Sequence, residues 1–187
     1  PPHVAILLIT FQREAGLAAL LDAIAKQEGL GTNCRISVVV CDNDAAQSAR
    51  AVALAAGATY LTEPRRGIPF ARNAALDAVP EDADFICFID DDEAPPPAWM
   101  SALLAVQRQT GAGAVLGPVV PVFPVGSESR WAVRSGLLRR RRNPDGARIY
   151  YGATNNTLVS WPFVRDRGLR FDERMRFTGG SDFLRQF

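Results

Sequence analysis

The chain has 187 residues, with 21 Lys and Arg against 20 Asp and Glu, so its formal net charge is +1. That length favours one domain, and a hydrophobic content of 48% is ample for a core. The charge balance excludes the strongly basic surface of a typical nucleic-acid binder, and the longest apolar run, Val4–Ile9, is far too short to cross a bilayer. No charged segment followed by a long apolar one opens the sequence, so no secretory signal is read. The cysteines Cys34, Cys41 and Cys87 are scattered, which argues against a zinc site or disulfide framework and fits a reducing compartment.

Short apolar runs then alternate with helical patterns. Val4–Thr10 reads as a buried strand, and Leu17, Leu20, Leu21 and Ile24 recur at helical spacing. Ile36–Cys41 is a β-branched strand ending at Asp42. Ala45–Ala56 reads as an Ala-rich helix, closed by Gly57. Thr59–Leu61 is a short strand, and Ile68–Val79 a helix with Pro69 in its first turn. Phe85–Ile89 is a strand stopped by Asp90-Asp91-Asp92-Glu93. Pro95-Pro96-Pro97 leads into a helix through Met100, Leu103 and Leu104, and Ala114–Leu116 restores strand character. Such alternation predicts an α/β fold with a mostly parallel sheet sandwiched by helices. Residues 117–148, with Pro118, Pro121, Pro124, Trp131 and the run Arg139–Arg142, read as an excursion or lid. Tyr150–Ser160 contains a strand and a helix starts near Gly180. The pattern stops at Phe187 without a capping signal, as expected of a C-terminally truncated domain. The whole chain, 1–187, reads as one domain in two halves, the regularly alternating residues 1–116 and the less periodic residues 117–187.

The acidic tetrad carries the chemistry. Asp90 and Asp92, two residues apart after a strand, lie on the same side of the chain. Clustered carboxylates repel unless a cation or donors neutralise them. Hard oxygen ligands suit Mg²⁺ or Mn²⁺, with positions left for phosphates. A solvated turn, or a cap for the helix after Pro97, is the alternative. Asp42-Asn43-Asp44 follows the second strand in the same way, and Thr10 ends the first with Gln12, Arg13 and Glu14 behind it. In open α/β sheets ligands bind beyond the carboxyl ends of strands, so these strand ends converge on one crevice.

These segments form an ordered set: Thr10-Phe11-Gln12-Arg13, Asp42-Asn43-Asp44, Gly67-Ile68-Pro69-Phe70-Ala71-Arg72-Asn73 and Phe88-Ile89-Asp90-Asp91-Asp92-Glu93. Ala153-Thr154-Asn155-Asn156, Phe171-Asp172-Glu173 and Gly179-Gly180-Ser181-Asp182 continue it. The set resembles the Rossmann-like GT-A domain of family 2 glycosyltransferases, most closely the bacterial exopolysaccharide enzymes of the succinoglycan type. That resemblance implies a metal-dependent, inverting hexosyltransferase using a UDP-sugar, UDP-glucose first, and a saccharide or lipid-linked acceptor. It implies that Thr10 and Asp42 contact uracil and ribose, with Asp44 beside them, and that Arg72 steadies the nucleotide. Asp90 and Asp91 would lie at the donor, Asp92 would ligate Mn²⁺ or Mg²⁺, and Asp182 would be the general base. Asn155, Asn156 and Trp161 are candidate acceptor residues. Asn155 and Asn156 could equally satisfy backbone groups in a turn, and Trp161 could pack in the core.

The sequence departs from the pattern at Ser181, where relatives often carry an acid before the base. The Gln-x-x-Arg-Trp signature of processive relatives is absent from these residues, so single-sugar transfer is the reading. Arg139–Arg142 is a solvated run, or attracts anionic headgroups or a lipid-linked pyrophosphate. His3, at the start of the chain, receives no role. The rivals are a sugar-nucleotide nucleotidyltransferase, disfavoured because Thr10–Gly16 holds one glycine, and a silent nucleotide- or glycan-binding domain. The expected location is cytoplasmic, at the inner face of the plasma membrane, without nucleic-acid partners.

Overall fold

The computed structural model describes residues 1–123, 126, 131–135, 143–150, 152–175 and 184–185. In chain order the elements are β1 (His3–Thr10), α1 (Glu14–Ala25), β2 (Arg35–Asp42), α2 (Arg50–Ala55), β3 (Thr59–Thr62), α3 (Ile68–Asp77), β4 (Phe85–Phe88) and α4 (Trp99–Thr110). β5 (Ala114–Leu116), α5 (Trp131–Arg134), β6 (Thr157–Ser160), α6 (Trp161–Asp166), β7 (Arg170–Phe171) and β8 (Leu184–Arg185) follow.

Six strands make one sheet in the order β3-β2-β1-β4-β6-β5. β3, β2, β1 and β4 run parallel, whereas β6 is antiparallel to both β4 and β5. The parallel part is built of βαβ crossovers, in which a helix links one strand to the next parallel one, a connection that as a rule is right-handed. β6 comes from the second half of the chain and inserts between β4 and β5, so both halves share one sheet.

β1 is the centre. Val4, Ala5, Ile6, Leu7 and Leu8 are all essentially solvent-free, which is why the run lacks alternation: both faces are covered. On one face Leu17, Leu20, Leu21 and Ile24 of α1 join Met100, Leu103 and Leu104 of α4 against Val4, Ile6 and Leu8. On the other, Ala71, Ala75 and Leu76 of α3 pack with Val164 of α6 against Ala5 and Leu7. Each fully buried Leu or Ile contributes about 1.5–3 kcal/mol relative to exposure.

The structure shifts several sequence expectations. The expected helix 45–56 begins only at Arg50, because Asp42 and Asp44 hold residues 44–49 in a turn, with Gln47 at φ 58°. Gly57 does follow α2 directly, at φ 71°. The strand within 150–160 is confined to Thr157–Ser160, and α6, with Pro162 in its first turn, was not foreseen. His3 is a buried strand residue, its ring 3.1 Å from Asp82 Oδ1 and 2.9 Å from Ser37 Oγ. The helix expected near Gly180 and the run Arg139–Arg142 lie outside the described residues.

Candidate active site

Register brings the strand ends together. Thr10 pairs with Asp42 and Asp42 with Thr62, while Phe88 pairs with Leu7, so the chain past β4 emerges beside Thr10. The parallel strands all finish at this edge, where polar groups form three connected clusters.

The first surrounds β2. Asp42 is fully buried; its Oδ1 accepts the Asp44 amide at 3.0 Å, and its Oδ2 accepts the Ala49 amide at 2.9 Å and the Tyr60 hydroxyl at 3.0 Å. Asp44 accepts the Ala46 amide, chiefly through which its carboxyl is held below the usual range. Asn43 reaches the other way: its amide donates to the carbonyls of Glu63 and Arg65 at 2.7 and 2.8 Å, and its Oδ1 accepts the Gly67 amide. It thereby ties β2 to the loop that starts α3. The sequence marked this tripeptide for its acids, and its amide is a binding element of the fold that composition alone does not reveal.

The second cluster is that loop. Glu63 accepts the Arg65 guanidinium twice, at 3.0 and 2.8 Å, which lowers its pKa. The Arg65 guanidinium lies over the Phe70 ring at 4.5 Å, and that of Arg66 over Phe11 at 3.7 Å. Arg72 is buried on α3, 3.5 Å from Asp90 Oδ1, with its guanidinium 5.3 Å from the Phe171 ring and 5.9 Å from Phe88. Phe88 and Phe171 meet edge-to-face at 5.5 Å. Asn73, next to Arg72, clamps β7 by donating to the Phe171 carbonyl at 3.0 Å and accepting its amide at 2.9 Å.

The third cluster is the acidic turn. Asp91 is buried; its Oδ2 accepts the Thr10 hydroxyl at 2.8 Å and its Oδ1 accepts Arg13 Nη1 at 3.1 Å. The same Arg13 nitrogen donates to Asp92 Oδ2 at 2.8 Å. Asp90 and Asp92 turn outward, with side chains 49% and 65% exposed. Glu93 is held by the Asn155 amide at 2.7 Å, and burial, with Asp90 and Asp92 nearby, pushes its carboxyl pKa up. Gly16 lets α1 approach this turn: a Cβ there would stand 2.7 Å from the Asp91 carbonyl oxygen.

The structure therefore brings Thr10, Asp42, Asp44, Arg72, Asp90, Asp91, Asp92 and Asn155 to one edge. Two acceptor candidates are elsewhere. Asn156, at φ 57°, accepts the buried Trp99 indole N–H at 2.7 Å and donates to the Pro118 carbonyl, so its amide is used within the fold. Trp161 is 6% exposed in the core beside Val164 and cannot stack on a sugar at the surface. Asp182 lies outside the described residues. Cys34, Cys41 and Cys87 are free and buried, and burial lifts the Cys41 thiol to about 12, so none serves as a nucleophile at neutral pH. A groove of about 740 Å³ lies between α1, α2 and the start of β2, away from the acidic turn.

Among the described residues no three His, Cys, Asp or Glu side chains are grouped to hold a metal on their own. The donor set fits Mg²⁺ or Mn²⁺ all the same, since such ions are commonly held by one or two carboxylates plus substrate phosphates and water. Asp90 and Asp92 are oxygen donors, turned outward, and already beside cationic groups.

Comparison with known proteins agrees with this fold. The chain is 35% identical to the succinoglycan biosynthesis protein ExoM of Rhizobium meliloti (strain 1021), over 96% of this chain and 59% of that protein. Its fold matches S. aureus TarS 1–349 in complex with UDP (TM-score 0.68, 18% identity, 96% of this chain and 52% of that one). It also matches the mannosyltransferase PcManGT from Pyrobaculum calidifontis, in complex with GDP-Man and Mn²⁺ (TM-score 0.66, 18% identity, 97% and 50%). The chain thus spans between half and three-fifths of the length of these relatives. Residues 5–166 match the glycosyl transferase family 2 model, and with the six-stranded mixed sheet and its acidic edge they establish that the chain belongs to that family.

Proposed function

We propose that this chain transfers a single sugar from a UDP-sugar, UDP-glucose being the first to test, to a saccharide acceptor in exopolysaccharide assembly. The observation that carries the reading is the acidic turn: outward Asp90 and Asp92 stand between the guanidinium groups of Arg72 and Arg13 at the carboxyl edge of the sheet. That arrangement suits a nucleoside diphosphate, whose negative charge needs cations and whose metal needs a carboxylate. The similarity to ExoM supports the exopolysaccharide context, and the UDP complex of TarS supports the uridine donor.

In this reading Asp42, Asp44 and Thr10 shape the base and ribose end, with Asp91 holding Thr10 in place. Arg72 and Asp90 flank the diphosphate and donor sugar, and Asp92 holds the divalent ion, Mn²⁺ or Mg²⁺. A bound divalent ion supplies a Lewis acid for the charge left on the departing β-phosphate. Asp182 is proposed as the base from the family resemblance: it takes the acceptor hydroxyl proton as the oxygen bonds to the anomeric carbon and the bond to phosphate breaks. Attack opposite the leaving group inverts the centre, so an α-linked donor yields a β-glycoside. Asn155, which donates to Glu93 of the acidic turn, is assigned to the acceptor side in this reading. We assign the acceptor as an oligosaccharide or lipid-linked saccharide met at the inner membrane face, with residues 117–187 on the acceptor side. No helix among the described residues is long and apolar enough to cross a membrane.

The test is calorimetric titration of the chain with UDP, with and without Mn²⁺. Binding that requires Mn²⁺ and is lost in Asp92→Ala supports the reading. Binding indifferent to both would overturn it. Asp182→Asn is expected to keep UDP binding and abolish transfer; loss of both would remove the separation between base and metal ligand.

A further inference from the structure

Arg13 enters the function just proposed only as a neighbouring positive charge, yet its guanidinium sits on the carboxylate assigned to the metal. Nη1 alone reaches two acids, Asp92 Oδ2 at 2.8 Å and Asp91 Oδ1 at 3.1 Å. The two acids differ in what else holds them. Asp91 is buried and keeps the Thr10 hydroxyl on its second oxygen, whereas Asp92 is 65% exposed. Arg13 precedes the first residue of α1, and Gly16 packs that helix end against the Asp91 backbone, so a rigid element delivers the guanidinium to the turn.

Resting on the donor reading above, we infer that Arg13 is a built-in counter-ion that occupies Asp92 until a divalent cation replaces it. A guanidinium and a divalent ion repel, and both seek the same exposed oxygen, so the ion enters only as Arg13 leaves. The turn keeps its shape during the exchange, because Asp91 remains bonded to Thr10. The released guanidinium, half exposed on a flexible stem, is then free to meet an anion such as a diphosphate. Cation and diphosphate therefore bind as a coupled pair: each draws Arg13 toward the arrangement that favours the other. By reciprocity, the factor by which UDP tightens Mn²⁺ equals the factor by which Mn²⁺ tightens UDP. Arg13 thus sets how poorly the site holds a metal before the donor arrives.

The experiment measures Mn²⁺ affinity by electron paramagnetic resonance, with and without UDP, in wild type, Arg13→Gln, Arg13→Lys and Asp92→Ala. The pair is solvent-exposed, so its removal is worth about a two- to fivefold change in affinity. Arg13→Gln is expected to bind Mn²⁺ alone tighter by that factor, and to show a smaller UDP-induced gain than wild type. Arg13→Lys retains the charge and is expected to stay near wild type. Arg66→Gln, which removes the same charge beside Asp44, is expected to leave affinity for Mn²⁺ alone unchanged. Unchanged Mn²⁺ affinity in Arg13→Gln, while Asp92→Ala still loses the ion, overturns this inference and leaves the donor reading standing. Mn²⁺ affinity that ignores Asp92→Ala removes the donor reading itself. Matching thermal midpoints of wild type and Arg13→Gln serve as the folding control.

Discussion

Two strand-end acid clusters that look alike in sequence, Asp42–Asp44 after β2 and Asp90–Glu93 after β4, are built for different work. At β2 the carboxylates point inward and take backbone amides: Asp42 is fully buried and receives two N–H groups and a phenol. At β4 the outer carboxylates face solvent and their neighbours are guanidinium groups, the exposed one of Arg13 at Asp92 and the buried one of Arg72 at Asp90. Backbone donors cannot leave without unfolding the loop, whereas the exposed guanidinium of Arg13, on a long side chain, can. The first cluster consequently fixes the shape of the crevice, and the second is free to exchange partners with a ligand. An acid at a strand end signals a ligand only when its partner is replaceable.

That contrast can be broken by mutation. Asp42→Ala would leave three donors without their acceptor, two of them buried amides, and at about 1–3 kcal/mol for each unsatisfied group the expected loss is about 3 kcal/mol or more, read by chemical denaturation. Asp92→Ala is expected to change stability by under about 0.5 kcal/mol, as for an exposed pair, while removing the Mn²⁺-dependent part of UDP binding. Equal destabilisation by the two would erase the distinction.

Asn73→Ala removes both bonds to Phe171 and should cost about 2 kcal/mol, with β7 losing amide protection before the parallel strands in hydrogen exchange. Protection lost uniformly would mean that β7 is not held through α3.

The smallest effect concerns Glu63, whose pKa is lowered by Arg65. A carboxyl depressed in the folded state adds stability above its unfolded pKa and loses it as pH falls through the folded value. Glu63→Gln should therefore cost less than about 1 kcal/mol at neutral pH, since Arg65 is 58% exposed, and nothing in strong acid. A cost independent of pH would assign the effect to packing rather than charge.

The sequence by itself determined the sheet-forming runs, the helical faces of α1 and α4, the helix α3, and the acids at the strand ends, because these depend on local periodicity and on where apolar runs stop. It misread residues 45–49, where side-chain acceptors on Asp42 and Asp44 overrule the helix propensity of alanines. It had no means of seating β6 between β4 and β5, since strand order rests on contacts far apart in the chain. Nor did it separate Asn155 from Asn156: the neighbours are equivalent as residues, but one meets Glu93 at the acidic turn and the other the buried Trp99 indole. Chemical identity is local and was legible; which groups are buried, satisfied or replaceable depends on the packing around them, and that only the tertiary structure decided.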